Sequence, residues 1–197
     1  MIHETVVTTV TPEGKPHIAP MGVRQQGDTF LLMPFLPSAT YDNVISTGCA
    51  VVNFTTDVRV FAGCVTGRRT WPTVAARHVR CVRLADTLAH AELRLASVEY
   101  DSQRPTLVME CVARCTNAPF TGLNRAQAAV IEGAVLISRL TMLPREKIDA
   151  ELAYLSIAIG KTAGPRELQA WQWLMDAVHA FFARPAEADH VPTEEAL

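Results

Sequence analysis

Through Thr116 the apolar residues alternate with polar ones in short runs, and after residue 121 they recur at helical spacing. Glu4–Thr11 is rich in Val and Thr, which suit a pleated surface. Pro12-Glu13-Gly14-Lys15 is a turn signal, so His17–Arg24 is expected to pair back as a hairpin. Thr29–Phe35 reads as a further strand, stopped by Pro37. Ser38-x-Thr40-x-x-Asn43 opens a short helix, and Cys49 to Thr55 is the strand that follows. Thr56–Val65 is open between strand and helix, with Asp57 placed to cap a short helix, and Gly67–Thr73 reads as a loop. In Ala89–Ser97, Ala91, Leu93 and Leu95 alternate with Glu92 and Arg94, a period of two with one wet face. In Thr106–Thr116, Leu107, Met109, Cys111, Ala113 and Cys115 share one face, with Glu110 and Arg114 on the other.

Asn124-x-x-Gln127 reads as a capping box. Ala126, Val130, Gly133, Ile137 and Leu140 then form the apolar stripe of a first long helix. Pro144 suits the first turn of a second helix and Gly160 its end, with Ile148, Leu152, Leu155 and Ile159 along one side. Gly164-Pro165 opens a third, with Leu168, Trp171, Leu174 or Met175, Val178 and Phe182 facing inward and Pro185 stopping it. Antiparallel strands with short turns and no βαβ rhythm favour a barrel over a doubly wound sheet. The expected class is α+β: a β-barrel over residues 1–120, a three-helix segment over 121–185, and a mobile acidic tail over 186–197. The helices are too apolar to stand free and must pack on the barrel or on a partner chain.

The chain has 197 residues, 49% hydrophobic and 19% charged, enough for one or two domains with a real core. A net charge of −2 gives no general pull toward nucleic acid or anionic membrane. No apolar run approaches the roughly 20 residues of a membrane span. The N-terminus lacks the pattern of a signal peptide. All but Lys15, Lys147 and Lys161 of the 18 basic residues are arginine, and Arg59, Arg68, Arg69, Arg77, Arg80 and Arg83 cluster. That cluster is either a solvated arginine-rich loop or a site for an anionic substrate or cofactor tail. Cys111 and Cys115 would stand about 13 Å apart on an extended strand, too far to bridge directly. Cys49, Cys64, Cys81, Cys111 and Cys115 therefore read as buried free thiols of a cytoplasmic protein. The histidines show no metal-binding spacing, and no Walker loop, G-x-S-x-G or G-x-G-x-x-G is present.

The densest chemical signal is Ser38 to Asp57. A helix start presents unpaired backbone N–H groups and the positive end of a dipole, which suit a phosphate, and Ser38 and Thr40 add hydroxyl donors there. Either residue also suits plain capping of the helix. The same block resembles split-barrel FMN-binding proteins, including flavin reductases, in its Ser/Thr-x-x-Asn turn before a strand ending in Val51-Val52-Asn53. The wider pattern runs from Glu4–Thr9 through Pro12-Glu-Gly14, Ala19–Val23, Ser38–Asn43 and Val51–Asp57 to Asn124–Glu132. It resembles an uncharacterised domain-of-unknown-function family of methanogens and of methylotrophs that use tetrahydromethanopterin. The resemblance implies an FMN-binding split barrel, a homodimer with flavin near the subunit interface, and no particular reaction.

On that resemblance the cofactor-binding residues are Met21, Gly22, Val23, Arg24, Ser38, Thr40, Asn43 and Asn53; no catalytic residue and no metal are assigned. Ala19–Val23 corresponds to the strand whose backbone lies beside the flavin ring. There Gly22 either permits close approach of a flat ligand or marks a bulge, and Met21 packs on the ring or fills core. Arg24 either supplies charge to the phosphate or is an exposed strand-end arginine. Asn43 either binds phosphate or satisfies a nearby loop. Asn53, a polar amide in an apolar strand, needs a partner, either flavin or a neighbouring backbone. His17 lies close to the ring strand and either donates to flavin or substrate or is a surface histidine of the hairpin. Glu132, in an apolar stretch, is read as buried in an ion pair with Arg125 or Arg139, with a catalytic role as the alternative. The expected function is a flavin-dependent oxidoreductase acting on a small molecule, linked through the resemblance to C1 or pterin chemistry. The alternatives are a flavin-binding or regulatory module without turnover, and an oligomeric scaffold without flavin.

Overall fold

The computed structural model describes residues 1–183, so the acidic tail expected at 186–197 lies outside the described residues. In chain order the first elements are β1 (Ile2–Val10), β2 (Pro16–Gln26), β3 (Thr29–Leu32), α1 (Ala39–Thr47), β4 (Cys49–Phe54) and α2 (Arg59–Val65). Then come β5 (Thr73–Ala75), β6 (Val82–Leu84), β7 (Ala89–Glu99), β8 (Thr106–Thr116), α3 (Arg125–Ile137), α4 (Arg145–Thr162) and α5 (Pro165–Phe182). Six strands close an antiparallel barrel in the order β1–β2–β3–β8–β7–β4, and β5 and β6 form a separate hairpin. Among the described residues no helix is long and apolar enough to cross a membrane.

The period of two sorts the strand residues into two cores. Val7, Val23, Phe30, Leu32, Val52, Leu93, Leu107 and Met109 fill the barrel, joined by Val44 of α1. Val6 and Ile18 have the opposite parity and share an outer core with α2, α3, α4 and α5. The helices thus cover the outer face of β1 and β2. Leu168, read as facing inward, is 53% exposed, and Glu167 is buried in its place. Only half of the capping box forms: Asn124 Oδ1 accepts from the Ala126 N–H at 2.7 Å, while the Gln127 amide donates to Glu167 instead.

Two features correct the strand readings. Glu92 pairs with Ala113 and Leu93 with Cys111, so Val112 is an extra residue in β8. A bulge of one residue reverses every later side chain. Leu107 and Met109 point into the barrel, whereas Cys115 lies on the outer face beside His90. Cys111 and Cys115 are accordingly only partly buried, though all five cysteines are free. Glu92 is not on a wet face but fully buried, because the β5–β6 segment folds over it.

Asp57 joins the barrel to the helical layer. Its Oδ1 accepts from the Arg59 backbone N–H at 3.2 Å and from Arg59 Nε at 2.8 Å, and Arg166 of α5 approaches Oδ2 at 3.6 Å. Breaking a buried pair costs about 3–5 kcal/mol when the remaining charge stays dry. Both arginines keep contact with water, so Asp57→Ala is expected to cost about 2 kcal/mol, read as a lower urea midpoint with an unchanged m-value.

Candidate functional site

β3 is too short to cover β2. It pairs only with Arg24, Gln25 and Gln26, so no strand among the described residues pairs with the other edge of Pro16–Val23. The Cys64 thiol lies 3.7 Å from the Ile18 carbonyl, which therefore points away from β1. Backbone groups alternate between the two edges of a strand, so Pro20 and Gly22 face the same way. Proline has no N–H to leave unpaired, and it suits an open edge.

This edge looks into a groove of about 440 Å³, within the range of small-molecule sites. β2 supplies the floor with Ile18, Ala19, Pro20 and Met21; Phe61 and Cys64 of α2 form one wall and Ile131 and Ala134 of α3 the other. The polar groups at its margin are Glu4, His17, Arg69 and Ser138. Burial and then the nearby Arg69 charge push the His17 pKa below its ordinary value. The imidazole is thus neutral near pH 7, with one ring nitrogen to donate and one to accept. Burial pushes the Cys64 thiol up to about 11, so it is no nucleophile at neutral pH.

α1 lies against β1, β2 and β4. Ser38 is its N-cap, in extended backbone conformation, and Oγ accepts from the Tyr41 N–H at 3.2 Å. Accepting leaves the serine proton free to donate. Thr40 is buried, at 2% exposure. Gly48 at φ 70° closes the helix in a left-handed cap. Asn43 is turned inward, with Nδ2 donating to Thr9 Oγ1 at 2.9 Å.

The sequence-predicted residues therefore divide. Met21 lines the groove and also packs on the barrel core. Gly22 lines it too, but a Cβ there would stand 2.9 Å from Ile2 Cγ2, so Ile2 fills the space that the glycine leaves. The register runs through Gly22 without a bulge. The Val23 side chain is inside the barrel, and Arg24 is exposed where β2 meets β3. Asn53 is fully buried, and its amide is consumed by the protein. Nδ2 donates to the Val6 carbonyl at 2.9 Å and Thr8 Oγ1 at 3.1 Å, and Oδ1 accepts from the Leu84 N–H at 2.8 Å. The neighbouring backbone, not a ligand, is the partner it needed. Glu132 is exposed, one residue past the groove-facing Ile131, and among the described residues it joins no ion pair. Sequence reasoning missed Phe61, Ile131 and Ala134, and it held Arg69 only as part of the arginine cluster.

A closed antiparallel barrel with one uncovered strand edge and a helical layer over it defines the split-barrel class. The chain belongs to the DUF447 family. The domain described as "Protein of unknown function (DUF447) N-terminal domain" matches residues 3–118, and the one described as "Protein of unknown function (DUF447)" matches 124–176. The crystal structure of an FMN-bound DUF447 protein from Methanosarcina mazei superposes with a TM-score of 0.76 at 20% identity, covering 89% of this chain and 94% of that one. The 2-nitrobenzoate 2-nitroreductase of Pseudomonas fluorescens gives 0.50 at 20% identity over 57% of this chain and 64% of its own. An FMN-binding protein from Thermus thermophilus with bound 1-cyclohex-2-enone gives 0.50 at 14% identity, over 59% and 71%. These likenesses are of fold. No curated protein matches the sequence.

Proposed function

We propose that the protein binds FMN and uses it as an oxidoreductase toward a small molecule. The observation that carries this reading is the unpaired edge of β2 opening into an apolar groove of suitable size. A flat heteroaromatic ring needs apolar walls and a few fixed donors and acceptors at its edge. Phe61, Ile131 and Ala134 supply the walls; the Gly22 N–H and the Pro20 and Gly22 carbonyls supply the edge. Met21 packs beside it. The Val23 and Asn53 side chains have no part in this site.

Phosphate is assigned to the start of α1. The Ser38 proton and the helix dipole favour an anion there; Thr40 and Arg24 are the proposed further contacts, and none of these three residues lines the β2 groove. Asn43 contributes by holding α1 against β1 through Thr9. Bound FMN supplies acceptance and release of hydride or single electrons. The protein excludes water from the ring, and neutral His17 donates or accepts one hydrogen bond at the groove margin. A reduced nicotinamide or a reduced pterin is the proposed donor, and the working unit is a homodimer with the flavin near its interface.

Purified protein is expected to be yellow and to release FMN rather than FAD on heating. Ser38→Ala with Thr40→Ala is expected to weaken FMN retention at least about tenfold, the loss of one charge-assisted hydrogen bond or more. Colourless protein that takes up no FMN in equilibrium dialysis overturns the reading. Anaerobic mixing with NADH, NADPH and reduced pterins then tests turnover. Bleaching of the flavin with any of them supports an enzyme, and no bleaching leaves a flavin-binding module.

A further inference from the structure

The cluster of arginines contributes to a second cavity, of about 540 Å³, between the β5–β6 hairpin and the outer face of β7 and β8. Val74 and Ala75 form its roof, His90 and Glu92 its floor, and Cys115, Thr116 and Asn117 one side. Arg77 and Arg83 complete it. None of these residues lines the β2 groove. Its contents are polar and cationic where the groove is apolar.

Among the described residues neither arginine is neutralised by pairing; the one charged contact inside the cavity is His90 Nε2 to Glu92 Oε1 at 3.6 Å. Glu92 is fully buried, and both its oxygens are taken by the loop above: Oε1 accepts from the Arg77 N–H at 2.8 Å, and Oε2 from the Val79 N–H at 3.0 Å and from the His78 N–H. The carboxylate is thus satisfied by backbone and forms no bond to either guanidinium. Arg83 spends Nη1 on the Leu84 carbonyl at 2.9 Å and the Ala85 carbonyl at 3.3 Å, leaving its other donors free. The Arg77 side chain forms no hydrogen bond or ion pair among the described residues. Asn117 Nδ2 lies 3.0 Å from His90 Nδ1; while His90 is neutral with its proton on Nε2, the amide donates one hydrogen there and keeps the second. Two guanidiniums, a hydroxyl and an amide donor thus border one cavity with unspent donors, a set that suits an oxyanion.

We propose that this cavity is a second ligand site, taking a small molecule that carries a phosphate or carboxylate, with Arg77 and Arg83 as its cationic contacts and Thr116 and Asn117 as its neutral ones. The proposal is independent of flavin binding. His90 reports on occupancy. It is faced by Arg83 from β6, Arg77 from the β5–β6 loop, Glu92 on its own strand and Cys115 from β8. Burial, and next the Arg83 charge, hold its pKa below the ordinary value. An anion bound between the arginines offsets their charge and lets His90 protonate more easily, so its titration midpoint rises.

The test is titration of the full chain with inorganic phosphate and, separately, with succinate, each against sodium chloride of matched ionic strength. Binding is read from thermal unfolding and from the His90 imidazole resonances. The expected result is a saturable rise in Tm with one of the two anions, accompanied by an upward shift of the His90 midpoint. Arg77→Gln, which removes no hydrogen bond or ion pair among the described residues, is expected to weaken that binding at least about tenfold while leaving the flavin content unchanged. Arg83→Lys is expected to weaken it less, since it keeps the charge and loses the planar donor pair. A Tm rise equal to that with chloride, an unmoved His90, or an undiminished response in Arg77→Gln overturns the proposal.

Discussion

Asn53→Leu is expected to destabilise the fold by about 3–4 kcal/mol while leaving flavin affinity unchanged in protein that is still folded. Asn53 is the point at which three strands are tied. Its Nδ2 reaches the Val6 carbonyl and Thr8 Oγ1 of β1, and its Oδ1 takes the N–H of Leu84 in β6. Leucine leaves the buried Leu84 N–H without that acceptor, at about 1–3 kcal/mol, and removes the bonds to β1 as well. The hydrophobic gain is small because the site is dry and filled by hydrogen-bonded atoms. Urea unfolding gives the stability, and FMN dialysis at low temperature gives the affinity. A fall in affinity with no loss of stability would return Asn53 to the flavin site.

That residue also marks how far the sequence could be read. An amide among Val51, Val52 and Phe54 announces that it must be satisfied, but the partner lies 31 residues away in a strand of only three residues. β5 and β6 carry no visible period. They hold their place through groups contributed by distant strands, the Asn53 carbonyl and the Glu92 carboxylate. The arginines around them therefore read equally well as a solvated loop or an anion site. The six barrel strands and the three long helices were legible because each repeats its apolar period over several residues. The Val112 bulge was not, because one extra residue changes the facing of Ala113 and Cys115 without changing any local composition. The groove was half legible. Its floor is a local strand motif, Ala19–Gly22, but its walls are helix faces, and a stripe on α3 does not say which strand it will cover.

Glu92→Gln isolates the cost of the clamp under the arginine loop, and we expect it to lose about 3 kcal/mol. Three backbone N–H groups, those of Arg77, His78 and Val79, converge on the two carboxylate oxygens. An amide of the same shape turns one acceptor into an NH2 that meets backbone donors head-on, so at least one buried charge-assisted bond, worth about 1.5–3 kcal/mol, is replaced by repulsion. Burial raises the Glu92 pKa, but the backbone N–H groups together lower it more, and the net direction is below the ordinary 4.5. A carboxyl held low in the folded state stabilises fully above its unfolded pKa, and that contribution disappears as pH falls through the folded value. Wild-type stability should therefore decline below about pH 4.5 more steeply than that of Glu92→Gln, so the two urea midpoints converge on acidification. Parallel curves would mean that Glu92 titrates alike in both states and that folding favours its charged form no more than its protonated one.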